Sequence, residues 1–463
     1  MLALLDLTIL LFATVLHLPL TAQALQVPHK SAFQRRDGAN PIYPPGSDSK
    51  GWNALPSVPG ATITELPIGD RNATLTVYQT DPSSYNASKI IRAVIMVAGM
   101  DRVGWNEWIY LNASLTRAAQ GGEVDPSTVV LAAPEFLTIP DAGAYPVDSE
   151  GAPTSSALVW NGVAWGAGQN AVFPDKALMA GLPYGTSLEG GSSRTKRKMK
   201  DPSERDGPGV GSFDALDSLV AIYLDRSRFP NLNRVVLGGF SLGGQLVQRY
   251  SLLRETTRDD NRMTYWLSSP GSFLYLNSTR PGSIGKGCKS TYNSYKYGLE
   301  GSLPSYVRDT DPNILGQRLA SRTVRYLVGL LDTIAGDNSC EAKSQGSDHI
   351  RKMLNWAQYA APYWPGAPGD GSLPPNTTLS LIRNTGHVDR QIIQSDPGVA
   401  TLFLEDYPSA GSNATAPPSN GDSAGVPTEA ASGAMASIRM MPGHKVVLLL
   451  SSALSILFMA TLA

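Results

Sequence analysis

Arg234-Val-Val-Leu-Gly-Gly-Phe-Ser-Leu-Gly-Gly-Gln-Leu-Val-Gln-Arg-Tyr250 is the stretch that decides how this chain is read. Val235-Val236-Leu237 has the character of a buried strand, Gln245 to Leu253 that of a helix, and Gly239-Phe240-Ser241-Leu242-Gly243 lies between them. These five residues fit the G-x-S-x-G nucleophile elbow, in which a sharp strand-to-helix turn holds one serine in a strained backbone conformation. Small neighbours are needed because strand and helix approach closely at the bend. The serine oxygen is then exposed at the C-terminal edge of a sheet, beside a helix N-terminus. Gly and Ser are common, so the pattern carries weight only through its place between strand and helix.

Short apolar, β-branched runs recur on either side of this stretch. They are residues 61–66, 74–78, 92–98, 128–133, 235–237, 264–267, 324–328 and 378–382. The first two alternate in polarity, as an antiparallel edge pair would, whereas the later runs are nearly continuous, as buried parallel strands are. Eight strands with helical connectors predict an α/β fold: a mostly parallel eight-stranded sheet with helices on both faces. One helix is expected from Phe213 through Leu216, Leu219, Val220 and Tyr223, after a cap-like Ser212 and ending before Pro230. A second is expected after Cys340, through Ile350, Met353, Leu354 and Trp356. The Gly-rich region from Leu137 to Gly211 holds Trp160, Trp165 and a basic run at 194–200, and its length suggests a functional or irregular loop. The basic run is read as a solvated loop.

A serine hydroxyl is a weak nucleophile and needs a base beside it, with a third group orienting that base. Of the histidines, His17, His29 and His444 lie near the chain ends and His349 falls inside a predicted helix. That leaves His387, in Asn384-Thr-Gly-His-Val-Asp389, just after the last predicted strand. The orienting acid should follow a strand between serine and histidine, which points to Asp332, with Asp337 in the same loop as fallback. Asp389 is too near His387 in sequence to be preferred. Two backbone N–H groups must face the charge that develops on the substrate. Leu242 supplies one, and the loop Val97-Ala-Gly-Met-Asp-Arg-Val-Gly104 the other, with Met100 the first choice and Asp101 the second. Asp101, Arg102, Trp105 and Trp108 are candidates to line the substrate mouth.

The order Ser241, Asp332, His387, together with the elbow and the loop after the third strand, resembles the α/β-hydrolase superfamily over residues 60–405. More narrowly, Gly-Gly-Phe-Ser-Leu-Gly-Gly-Gln-Leu-Val-Gln-Arg-Tyr is similar to secreted microbial and fungal α/β hydrolases whose elbow commonly reads Gly-His-Ser-Ala-Gly-Gly. Phe240 stands where that group frequently has histidine. The resemblance implies a cofactor-free acyl-enzyme mechanism: Ser241 attacks a carbonyl, His387 shuttles the proton, and Asp332 holds the imidazole tautomer. The expected function is that of a serine hydrolase acting on carboxylic esters, on a small-molecule or lipid-like acyl substrate. A peptidase, a lipase or a catalytically silent cell-surface binding protein are the alternatives, since fold does not name a substrate.

The chain ends speak to location. Residues 1–24 carry an apolar run, Ile9 to Leu20, and end in Ala22-Gln23-Ala24, the pattern of a secretory signal peptide; a signal anchor is the rival reading. Arg35-Arg36 leaves open a trimmed pro-segment at 25–36, ahead of one catalytic domain at 37–407. Residues 408–431 read as a flexible Ser/Ala/Pro/Gly-rich stalk. Residues 432–463 match a GPI-attachment signal: Ser432-Gly433-Ala434, a spacer, and a terminal apolar tail from Val446. Ser432 or Gly433 would be the attachment residue, and a tail-anchored helix is the alternative. Asn72, Asn86, Asn112, Asn277, Asn376 and Asn413 head Asn-x-Ser/Thr sequons, and an oxidising compartment makes Cys288–Cys340 the default disulfide. With 38 basic and 39 acidic residues and no aromatic-interleaved basic stripe, nucleic acid is not an expected partner. The scattered histidines predict no metal site, and no cofactor is expected.

Overall fold

A computed structural model of the chain describes residues 40–47, 50–147, 153–174 and 209–408. The expected signal peptide, pro-segment and GPI signal, all of the stalk beyond residue 408, Asn413 and the basic run at 194–200 lie outside these residues.

Each of the eight apolar runs forms a strand: β1 Ala61–Pro67, β2 Thr74–Thr80, β3 Arg92–Val97, β4 Val129–Glu135, β5 Arg234–Phe240, β6 Met263–Ser268, β7 Thr323–Gly329 and β8 Thr377–Ile382. They build one sheet in the order β8-β7-β6-β5-β3-β4-β2-β1. From β4 to β8 every neighbouring pair is parallel, while β2 runs antiparallel to both β1 and β4. The first two runs therefore do form an antiparallel pair, but only β1 is an edge. β2 is interior because it uses its second side to pair with β4, a contact that its own alternation cannot report.

Burial on both faces explains the continuous apolar runs. Along β3, Ala93, Ile95 and Val97 enter one hydrophobic cluster, and Val94 and Met96 enter another. β5 divides the same way, with Val235 and Leu237 on one side and Val236 on the other. One cluster takes the apolar faces of α2 Ser212–Leu224, α3 Leu242–Leu253, α4 Pro312–Ser321 and α5 His349–Tyr359. The other takes α1 Gly104–Gln120 and the C-terminal turns that include Ile392, Leu402 and Phe403. Helices on both faces leave the strand ends as the accessible parts of the sheet. The C-terminal ends of β3, β5, β6, β7 and β8 lie along one edge.

Two helix boundaries differ from the expectation. α2 is capped by Gly211, whose N–H donates to Asp214 Oδ2 at 2.7 Å, while the Ser212 hydroxyl turns inward to the Trp165 carbonyl at 2.6 Å. After Cys340 the chain makes one helical turn, Cys340–Lys343, and breaks before α5, which starts at His349 behind the Asp348 cap.

Cys288 and Cys340 are joined, 52 residues apart in sequence. The bond ties the long excursion after β6 to the loop after β7. Replacing either cysteine by serine should lower the unfolding free energy by roughly 2–4 kcal/mol, read from urea denaturation; an unchanged midpoint would show that the bond constrains nothing the fold needs.

Candidate active site

The elbow is built by close approach. A Cβ on Gly239 would lie 2.3 Å from the Gly243 carbonyl oxygen, and one on Gly243 would lie 2.3 Å from that of Val97. Nothing larger than hydrogen fits at either position while α3 starts directly over the ends of β3 and β5. Ser241, between them, adopts φ 54° and ψ −112°, in left-handed space that non-glycine residues seldom enter. Such a conformation costs on the order of 1–3 kcal/mol and persists only where its surroundings enforce it. Here the Ser241 N–H donates to the Ser268 carbonyl at 2.9 Å, and Gln245 N–H donates back to the Ser241 carbonyl at 3.0 Å.

The loops after β7 and β8 converge on this serine. His387 Nε2 lies 3.0 Å from Ser241 Oγ, and His387 Nδ1 lies 2.9 Å from Asp332 Oδ2. Asp332 is fully buried. Burial pushes its carboxyl up, but the adjacent His349 and His387 imidazoles outweigh that effect and hold it well below the ordinary carboxylate range. The fallback acid, Asp337, is turned elsewhere: it pairs with Lys296 at 3.0 Å and accepts from the Tyr297 hydroxyl at 3.0 Å. Phe240 packs on the His387 ring with centroids 4.5 Å apart. A carboxylate, an imidazole and a hydroxyl in this chain of contacts can deprotonate the hydroxyl as it attacks an electrophilic carbon.

The sheet order, the left-handed serine elbow after β5, and the acid and histidine in the loops after β7 and β8 decide the architecture. This is the α/β-hydrolase fold. No protein-family model and no curated protein matches the sequence. Solved structures similar to this chain include LpqC, a poly(3-hydroxybutyrate) depolymerase from Bordetella parapertussis, at 18% identity over 76% of this chain and 92% of that one, with a TM-score of 0.44. Poly(aspartic acid) hydrolase-1 from Sphingomonas sp. KT-1 is 15% identical over 72% of this chain and 96% of its own, with a TM-score of 0.41. Siderophore hydrolase EstB from Aspergillus nidulans is 13% identical over 76% and 98%, with a TM-score of 0.37. Similarities this distant leave the fold assignment to the topology and the elbow.

The loop after β3 abuts the elbow. A Cβ on Gly99 would lie 3.4 Å from Ser241 Cβ, and the Arg102 N–H closes a turn onto the Gly99 carbonyl at 3.1 Å. Met100, at the tip, is 53% exposed, and Leu242 begins α3 directly after the serine. Of the four residues expected at the substrate mouth, Arg102, Trp105 and Trp108 are buried instead. Arg102, itself at φ 55°, makes a two-pronged ion pair with Asp141 at 2.8 and 2.9 Å. Trp105 sends its indole N–H to the Ile42 carbonyl, and Trp108 packs into the core on the α1 side of the sheet. Asp101 is half-buried, and its carbonyl accepts from the Trp52 indole at 2.6 Å.

Asp141 is the hub that sequence reasoning missed. Besides Arg102, it accepts from Trp52 N–H at 2.9 Å, Thr138 N–H at 2.8 Å and the Thr138 hydroxyl at 2.7 Å. The capping-box spacing Thr138-Ile-Pro-Asp141 was the available signal. His349, expected inside a helix, is the first residue of α5, and its Nδ1 lies 3.1 Å from Asp332 Oδ1. One carboxylate and two imidazoles thus bring ligand-type atoms within 4.8 Å, but His387 directs one nitrogen at Asp332 and the other at Ser241. The geometry is centred on the serine.

Gly243→Ala should destabilise the protein by at least about 4 kcal/mol or prevent soluble folding, because its methyl meets backbone oxygen. Gly287→Ala, which adds a methyl with nothing within 4 Å, is the control and should unfold at the wild-type temperature. Comparable melting temperatures for the two variants would contradict the close-approach account of the elbow.

Proposed function

We propose that this protein is a serine hydrolase of carboxylic esters. The observation that carries the reading is the continuous contact from Asp332 through His387 to a serine held at a left-handed elbow. In the proposed reaction Ser241 Oγ attacks the ester carbonyl carbon while His387 Nε2 takes the hydroxyl proton. Asp332 keeps Nδ1 protonated and stabilises the imidazolium. The negative oxygen of the tetrahedral intermediate faces the N–H groups of Leu242 and Met100. His387 returns the proton to the departing alcohol, leaving an acyl-serine. Water then attacks the acyl-serine, with the same histidine as base, and releases the acid. An ester makes the smaller demand on such a site, since an alcohol leaves more readily than an amine.

The wild-type protein should label with a fluorophosphonate probe, and Ser241→Ala should not label and should lose ester hydrolysis by at least about 10³-fold. Short and long acyl esters assayed beside aminopeptide substrates should show turnover on the esters first. Absence of labelling in folded wild-type protein would overturn the enzyme reading in favour of a silent binding protein.

We further propose that the protein is exported, glycosylated and held at the cell surface by a GPI anchor. Asn72, Asn86, Asn112, Asn277 and Asn376 are all exposed, which suits glycan attachment, and the Cys288–Cys340 bond suits an oxidising compartment. Phosphatidylinositol-specific phospholipase C should release the protein from cells that retain it. Retention after complete digestion would contradict the anchor.

A further inference from the structure

His349 lies against the proposed triad yet takes no part in the reaction described above. Its side chain is 1% exposed, and its ring stacks on that of His387 with centroids 4.1 Å apart and planes 16° from parallel. Its Nδ1 approaches Oδ1 of Asp332 at 3.1 Å, the oxygen that His387 leaves unused. The surrounding backbone is shaped to this ring. Gly336 takes φ 60°, and a Cβ there would lie 2.2 Å from His349 Nε2.

The first turn of α5 also grips the acid-bearing loop through its backbone. His349 N–H donates to the Ile334 carbonyl at 3.0 Å and Ile350 N–H to the Asp332 carbonyl at 3.1 Å. Lys352, one turn on, donates to the carbonyls of Gly271, Ala335 and Asp337 at 2.8, 2.6 and 2.7 Å. An apolar side chain could fill the space beside His387 at less cost. Asp332 Oδ1 and His349 Nδ1 are buried with no hydrogen-bond partner elsewhere among the described residues, so their 3.1 Å approach is the polar contact open to both. Leaving such an oxygen unmatched in the protein interior is costly. A merely space-filling role does not account for that cost, whereas a need for a polar edge at Oδ1 does.

We propose that His349 is a positioning residue: its polar edge holds the second oxygen of Asp332, so that the carboxylate stays in the plane that serves His387. The proposal rests on the serine-hydrolase reading of the same site. A carboxylate engaged at one oxygen only can swing about its Cβ–Cγ bond, and contacts at both oxygens prevent this. Burial pushes the His349 imidazole down, against the pull of Asp332, which keeps the ring neutral beside the imidazolium that forms on His387. The charged or titratable groups facing it are Asp332 on the loop after β7, His387 after β8, and Lys352 on its own helix, pushed down to about 8 by burial. Asp348, the cap of the same helix, directs its carboxylate to the Arg351 N–H at 2.8 Å.

The test compares His349→Phe, which keeps an aromatic plate and removes the polar edge, with His349→Gln, which restores a polar group. His349→Phe should fold, leave KM unchanged, lower kcat roughly tenfold through misplacement of the acid, and move the acid limb of the kcat/KM profile to lower pH, because a displaced carboxylate stabilises the imidazolium less. His349→Gln should recover most of that loss. Wild-type kcat and pH profile in His349→Phe, or equal impairment of the two variants, would overturn the proposal. If His349→Phe does not fold, His349→Gln must stay within about threefold of wild-type kcat, since a larger loss would show that a polar edge is not sufficient. A wild-type protein that neither labels nor turns over esters would sink the enzyme reading alone. The Nδ1–H proton resonance of His387, observed by NMR in wild type and His349→Phe, would then decide the positioning claim. It should shift between the two, and an unchanged resonance would overturn it.

Discussion

The contact between the Gly239–Gly243 bend and the carbonyls of β3 fixes everything that follows. With residues that lack a Cβ at both ends of the turn, α3 starts within van der Waals contact of the sheet, and Ser241 is left with a left-handed backbone. The strain is local and the enforcement is not. Parallel pairing of β5 with β3 and β6 sets the strand end, and the apolar side chains of α3 hold the helix down. Because β7 and β8 continue the same parallel order, their C-terminal loops reach the edge where the serine stands. The acid and the histidine are therefore delivered by sheet topology, and the final ångström is set by side chains.

Those side chains fall into two groups on either side of the serine. On one side, Asp141 gathers donors from Arg102, Trp52 and Thr138, pinning the loop that carries Met100. A buried arginine–aspartate pair is weak evidence for stability, since both charges lose water, but removing one partner is strongly destabilising. Its effect here is to set a loop conformation that includes Arg102 at positive φ. On the other side, α5 and the Cys288–Cys340 bond hold the loop that carries Asp332. Rigid support from both directions is what a preorganised site requires, because a group that must move into place at the moment of reaction forfeits much of its effect.

Much of this was legible in the sequence, for local reasons. Strands buried on two faces write themselves as continuous β-branched runs, which is why all eight could be read off. The elbow is a contiguous pattern, and chain order brings Ser241, Asp332 and His387 into a sequence that the structure closes in space. What could not be read depends on contacts between distant residues. Arg102 looks like a mouth residue until Asp141, 39 positions later, is seen to bury it. His349 looks like one turn of a helix, because periodicity reports which face is apolar and not what stands opposite a helix N-terminus. β2 reads as an edge because its pairing with β4 crosses the whole of β3 and α1.

In the proposed reaction Ser241 Oγ becomes covalently acylated. Brief incubation with a p-nitrophenyl ester, an acid quench and peptide mass spectrometry measure this directly. An acyl mass increment is expected on the peptide containing Ser241, appearing with a burst of p-nitrophenol and disappearing as hydrolysis completes. Ester turnover with no adduct at Ser241, or with the adduct on another residue, would contradict it.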